Sequence, residues 1–213
     1  MSKNNTIYAD LKRDLDPRSW ISKYRRNSVY YLVIMVLFYH MIGFVMMVVG
    51  SIIVNIVVSD YTEPTIPLTA ISVIFAGPLE ETLFFGIPFY VTGNNLVTLA
   101  GGIIWASLHI LNTPTVQANS LAYLTWLFVT PSIFASLRTW ISDKGWLAIV
   151  SHSVWNVVFF AAGCMNGEFP CRIINESDYL IDISYVSTSA VFILLTYLLY
   201  IRRQNKLVSK SRQ

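Results

Sequence analysis

Six runs of apolar residues, most of them near the length of a bilayer crossing, dominate this chain and leave few folds open to it. They are read near 29–58, 66–90, 96–111, 121–137, 146–162 and 183–201. A spanning helix needs roughly 20 mainly apolar residues. Lipid offers no partner for an unpaired backbone N–H or C=O, so such segments must close their hydrogen bonds within themselves as helices. Hydrophobic residues make up 54% of the chain and charged residues only 13%, against about 25% charged in a soluble domain. The expected fold is all-α, a polytopic membrane protein with about six transmembrane helices and a polar site inside the membrane. The expected organisation is a basic N-terminal segment over 1–28, one transmembrane domain over 29–201 and a basic tail over 202–213.

Charge fixes the expected orientation. Of the 15 Lys and Arg residues, seven precede Ser28 and five follow Ile201. Cytoplasmic loops collect basic residues, so both termini are expected in the cytoplasm, which demands an even number of crossings. Asp60 and Glu63 lie in a connection without Lys or Arg, expected outside, and Arg138 and Lys144 flank one expected inside. The loop over 163–182 carries Glu168, Glu176, Asp178 and Asp182 against Arg172 alone, and is expected outside. Topology accounts for the basic tails, so a nucleic-acid partner is not expected, and the plasma membrane is the expected location. Residues 1–27 lack the apolar core of a signal peptide. Residues 6–26 mix Leu11, Leu15, Trp20, Ile21 and Tyr24 with basic side chains, which fits either an interfacial helix broken at Pro17 or a tail anchored by its aromatics. Cys164 and Cys171 share the outer loop and are open to pairing or to remaining thiols.

Against this apolar background, the polar groups inside the spans stand out. Glu80 and Glu81 sit side by side in the second run. A charged carboxylate at the bilayer centre costs about 2.5–3.5 kcal/mol on insertion scales, so its usual place is a functional site facing protein or a wet cavity. Adjacent residues on a helix point about 100° apart. One glutamate is therefore expected to line a cavity while the other braces a neighbouring helix. Pro78 just ahead removes a backbone hydrogen bond and kinks the span, freeing carbonyls that protein or water must satisfy. Two of the three histidines, His109 and His152, are also singled out within apolar runs. Trp105 and His109 share a face at i,i+4, and so do His152 and Asn156. At 1.5 Å per residue, Glu80, His109 and Asn156 are expected about 16–21 Å from the cytoplasmic end of their spans, with His152 about one turn shallower.

A carboxylate and an imidazole can together take a proton from water. An imidazole N–H and a carboxamide NH₂ can stabilise the oxyanion formed when that water attacks a carbonyl. Glu80, His109 and His152 could alternatively hold a zinc ion with water as fourth ligand, or the glutamates could serve a proton or cation path. No sequence repeat of the transporter kind accompanies them. A His-Glu-x-x-His helix, a Gly-x-Ser-Gly nucleophile and a pair of intramembrane aspartates are all missing, every Asp being read in a tail or loop.

Glu80-Glu81-Thr82-Leu83-Phe84-Phe85, Trp105-x-x-x-His109 and His152-x-x-x-Asn156, in that order on three runs, resemble the motifs of the CPBP family of intramembrane endopeptidases (CAAX prenyl protease and bacteriocin-processing, or Abi, proteins). The resemblance implies that Glu80 activates water with help from His109, that His152 and Asn156 stabilise the oxyanion, and that Glu81 and Trp105 support them. It implies a peptide or membrane-protein substrate cleaved near or within the bilayer. Phe85 stands where the family usually carries Arg, and Trp105 where it carries Phe. The missing cation leaves a second expectation, a weakly active or inactive member acting as a bacteriocin-immunity or accessory protein.

Overall fold

The computed structural model describes residues 9, 28–57, 69–111, 116–165, 171–174 and 179–211. The expectation for residues 6–26 and the charges of Asp60, Glu63, Glu168, Glu176 and Asp178 lie outside the described residues. Among these residues six helices follow one another: α1, Val29–Val57; α2, Ala70–Thr92; α3, Asn95–Leu111; α4, Val116–Ile141; α5, Gly145–Met165; and α6, Tyr179–Ser211. The six apolar runs thus each become a helix. Among the described residues four are long and apolar enough to cross a membrane, within α1, α2, α5 and α6, while α3 supplies the shorter apolar stretch Asn95–His109. Helix α4 is diluted by Thr130, Ser132, Ser136, Arg138 and Thr139. The chain is an integral membrane all-α protein, with six crossings left as a finer expectation.

Helix α2 occupies the centre, in contact with α3, α4, α5 and α6, whereas α1 packs mainly along α4. Central placement explains how α2 tolerates polar residues: its neighbours, not lipid, surround them. Large apolar side chains on α1 and α6, such as Leu37, Phe38, Leu194 and Leu198, are exposed, as lipid-facing surfaces require.

Both ends of α2 are pinned. Thr69 caps its N-terminus, the hydroxyl accepting from the Ser72 N–H at 3.2 Å while the Ser72 hydroxyl accepts from the Thr69 N–H at 3.2 Å. The free N–H groups of Ala70 and Ile71 donate to the carbonyls of Arg172 and Ile173 at 3.0 and 3.3 Å. First-turn donors that no intrahelical carbonyl can reach are thereby satisfied by the segment 171–174. A Cys164–Cys171 disulfide ties that segment to the end of α5, which resolves the open question about the two cysteines. At the other end Gly93 adopts a left-handed φ of 64° and its N–H reaches the Phe89 carbonyl at 2.7 Å, the usual role of glycine past a helix end.

Two details correct the sequence-based picture. Asp182, expected in the outer loop, lies in the first turn of α6, is buried, and accepts a hydrogen bond from the Thr69 hydroxyl. A carboxylate near a helix N-terminus meets the positive end of the dipole, which accounts for the earlier start of α6. The third histidine, His40, is also buried within an apolar helix, stacked on Trp155 with ring centroids 5.5 Å apart. Helix α6 meanwhile continues through the basic stretch to Ser211.

Candidate active site

The kink on α2 organises everything around it. Pro78 has no N–H to offer the carbonyl one turn back, and the carbonyls of that turn are taken up by other helices. The Asn156 amide donates to the Val73 carbonyl at 3.2 Å, the Ser153 hydroxyl to Ile74 at 3.0 Å, and the Ser189 hydroxyl of α6 to Phe75 at 2.7 Å. Gly77 makes this approach possible: a Cβ there would stand 2.8 Å from the Ser153 hydroxyl.

Past the proline the helix widens. Residues Thr82–Gly86 form a single π-helical turn, closed by the Ile87 N–H on the Thr82 carbonyl. Such turns recur at functional sites. The Phe84 carbonyl of this turn lies against α3, where a Cβ on Gly101 would come within 2.0 Å of it. Backbone contact at that glycine brings α3, and with it Trp105 and His109, up to the glutamates.

Glu80 and Glu81 sit immediately before the widened turn and diverge. Glu81 is 2% exposed and its carboxylate takes three hydrogen bonds. Ser136 Oγ donates to Oε1 at 2.6 Å, Trp140 Nε1 to Oε2 at 2.9 Å, and His152 Nδ1 lies 3.2 Å from Oε1. Glu80 keeps a side chain 25% exposed. Its Oε2 accepts from Trp105 Nε1 at 2.6 Å, with His152 Nε2 at 3.4 Å and His109 Nε2 at 3.9 Å. One carboxylate oxygen is therefore ringed by three nitrogen-bearing side chains from α3 and α5.

Hydrogen-bond chemistry orients the rings. His109 Nδ1 lies 2.9 Å from the Trp105 carbonyl oxygen, which can only accept, so that nitrogen carries the proton. In neutral His109 the lone pair is then on Nε2, the atom turned toward Glu80. The indole of Trp105 packs edge-on against both imidazoles, with centroids 4.9 Å from His109 and 5.4 Å from His152. His152 spans the two glutamates, one ring nitrogen toward each.

Five of the six residues singled out from the sequence thus converge: Glu80, Glu81, Trp105, His109 and His152. Asn156 does not join that ring of contacts. It lies one turn further along α5, level with Val73, because α5 runs antiparallel to α2. His152, expected to be shallower than Asn156, is the residue level with the glutamates. Ser136 and Trp140 on α4 were missed. Their i,i+4 spacing matches that of the other pairs, but Trp140 lies beyond the apolar run read as ending at 137.

Phe85 is fully buried, edge-on to Trp105 with centroids 6.0 Å apart, in a cluster with Ala106, Val129, Ile133, Trp140 and Ala148. No cation is needed there, since the buried glutamate draws its donors from Ser136, Trp140 and His152. Among the described residues no three His, Cys, Asp or Glu side chains are arranged to hold a metal ion. The Glu80 oxygen nearest both histidines is already held by the Trp105 indole. Glu80, His109 and His152 as placed do not fit a zinc set, and no step below passes through one.

Residues 62–158 match the family model described as type II CAAX prenyl endopeptidase Rce1-like. That stretch includes every glutamate, histidine and asparagine of the three motifs. No curated protein and no solved structure matches the chain.

Proposed function

We propose that this chain, which belongs to the CPBP family through its Rce1-like residues 62–158, is an intramembrane endopeptidase that hydrolyses a peptide bond with a water activated by Glu80 and His109. The observation that carries this reading is the partly exposed Glu80 carboxylate, ringed by Trp105, His109 and His152. At 3.9 Å the His109–Glu80 pair is too long for a direct hydrogen bond. A water beside both has one acceptor in the Glu80 carboxylate and another in His109 Nε2.

Glu80 takes a proton from that water as its oxygen adds to the carbonyl carbon of the scissile bond. When the carbon–nitrogen bond breaks, the proton passes from Glu80 to the departing amine. The Trp105 indole fixes the carboxylate during both transfers, a positioning that general-base catalysis depends on. His152, protonated on both ring nitrogens between the two glutamates, donates Nδ1–H to Glu81 and offers its Nε2–H to the developing oxyanion. Asn156 spends one amide N–H on Val73 and has a second for the same purpose. Glu81 positions His152. The substrate is a peptide or membrane protein cleaved near or within the bilayer, with both termini of the protease in the cytoplasm, six crossings and a plasma-membrane location.

The test compares membranes carrying wild type, Glu80→Gln or His109→Ala at equal levels, with membrane peptides profiled by mass spectrometry. Peptides present with wild type and lost in both variants are expected. Identical profiles from three folded proteins would refute the proposal and favour the accessory role raised by Phe85.

A further inference from the structure

Helix α2, the corner between α4 and α5, and helix α6 enclose a cleft of about 350 Å³. None of Glu80, Glu81, His109 or His152 lines it. Tyr90, Trp140, Tyr197 and Tyr200 supply aromatic walls. Thr82, Asp143, Lys144 and Thr196 break that apolar lining. Thr196 is 5% exposed, and its hydroxyl makes no hydrogen bond among the described residues. An orphaned buried hydroxyl is rare in a finished core. Lys144 also lines the cleft, and its ammonium makes no ion pair or hydrogen bond among the described residues. Asp143 lines the cleft beside Lys144 and accepts from the Gln204 amide at 3.1 Å.

We propose that this cleft binds one phospholipid, its acyl chain between the aromatic walls, an ester carbonyl at the Thr196 hydroxyl and its phosphate at Lys144. The Asp143–Gln204 contact sets the mouth of the cleft level with residue 204, and Thr196 is eight residues deeper along α6, about 12 Å. The long Lys144 side chain and the glycerol backbone together bridge that depth. Tyrosine and tryptophan at such a mouth match the residues enriched where membrane meets water, and a lysine at the mouth of a pocket between spanning helices offers a cation to a lipid phosphate. The exposed flank of α6, including Ile193 and Tyr197, gives a lipid lateral entry. Trp140 joins this cleft to the glutamates. Its ring lines the cleft and its Nε1 holds Glu81 at 2.9 Å, so a bound lipid packs against the indole that orients the buried carboxylate. Lipid binding stands independently of whether Glu80 is catalytic.

The full-length protein in non-ionic detergent would be titrated with dioleoylphosphatidylglycerol and, separately, with dioleoylglycerol, which has the same chains without phosphate. Binding is read by native mass spectrometry. One phosphatidylglycerol per protein is expected, bound at least tenfold more tightly than dioleoylglycerol. Lys144→Glu should abolish that preference, and Ile193→Trp, which fills the cleft from an exposed position, should weaken both lipids at least tenfold. Equal binding of the two lipids, or phosphatidylglycerol binding untouched by either variant, overturns the proposal. So does full displacement of phosphatidylglycerol by equimolar inorganic phosphate, which would assign the site to the free ion.

Discussion

Ser136→Ala removes the shortest hydrogen bond to the most buried carboxylate among the described residues. Glu81 is 2% exposed and Ser136 4% exposed, with 2.6 Å between donor and acceptor. Hydrogen bonds to a charged group contribute about 1.5–3 kcal/mol, and neutral ones about 0.5–1.5 kcal/mol. Alanine is only one oxygen smaller, so the packing change is slight, and the loss expected is about 1.5–3 kcal/mol. A second background isolates the charge. In Glu81→Gln the side chain keeps an acceptor oxygen but no charge, and Ser136→Ala should then cost about 0.5–1.5 kcal/mol. The coupling between the two sites is therefore about 1–1.5 kcal/mol. Reversible unfolding of all four proteins in mixed micelles measures it. A Ser136→Ala cost below about 0.5 kcal/mol in wild type, or an equal cost in both backgrounds, would refute the view that α4 hydroxyl and indole donors replace the missing cation.

Three further outcomes are expected. Ser153→Ala should cost about 1 kcal/mol in wild type but little in a Pro78→Ala background, where a restored N–H can satisfy the Ile74 carbonyl; equal costs measured by the same unfolding assay would be inconsistent with this account. Gly101→Ala places a Cβ 2.0 Å from the Phe84 carbonyl, so overpacking should lower stability by at least about 1–3 kcal/mol and reduce the proposed peptidase activity by displacing His109; a thermal melt and turnover at wild-type values would contradict it. Reduction of Cys164–Cys171, a bond closing a separation of seven residues, should cost about 2–3 kcal/mol, and hydrogen exchange should rise first at Ala70 and Ile71, whose donors depend on the segment it anchors. Uniform exchange in oxidised and reduced protein would disprove that link.

Much of the site was legible in the chain because helical geometry is local. The divergence of Glu80 from Glu81 follows from 100° per residue, and the pairing of Trp105 with His109 follows from i,i+4 spacing. The consequence of Pro78 was likewise readable, since a missing N–H leaves a carbonyl wherever the helix lies. Which groups answer the carbonyls of that turn was not readable: Ser153 and Ser189 look in sequence like ordinary polar residues of a span, and Asn156 was read as an oxyanion donor and not as a partner of Val73. Depth counted along each helix put Glu80 level with Asn156, whereas His152 is the residue beside it, because uncertain ends shift a comparison between two helices by a turn.

The apolar pattern by itself determined an all-helical membrane protein and marked intramembrane carboxylates and imidazoles as groups needing partners, because the bilayer penalises each residue according to its own chemistry. Tertiary packing decided the partners. It put α2 at the centre, buried Glu81 against Ser136 and Trp140, left Glu80 partly open beneath Trp105, His109 and His152, and turned Asn156 onto Val73. It also filled the position of the absent arginine with a buried phenylalanine. Those choices depend on close approach at Gly77 and Gly101 and on a π-helical turn that re-aims the helix. Such contacts arise between segments far apart in the chain, where no local periodicity records them.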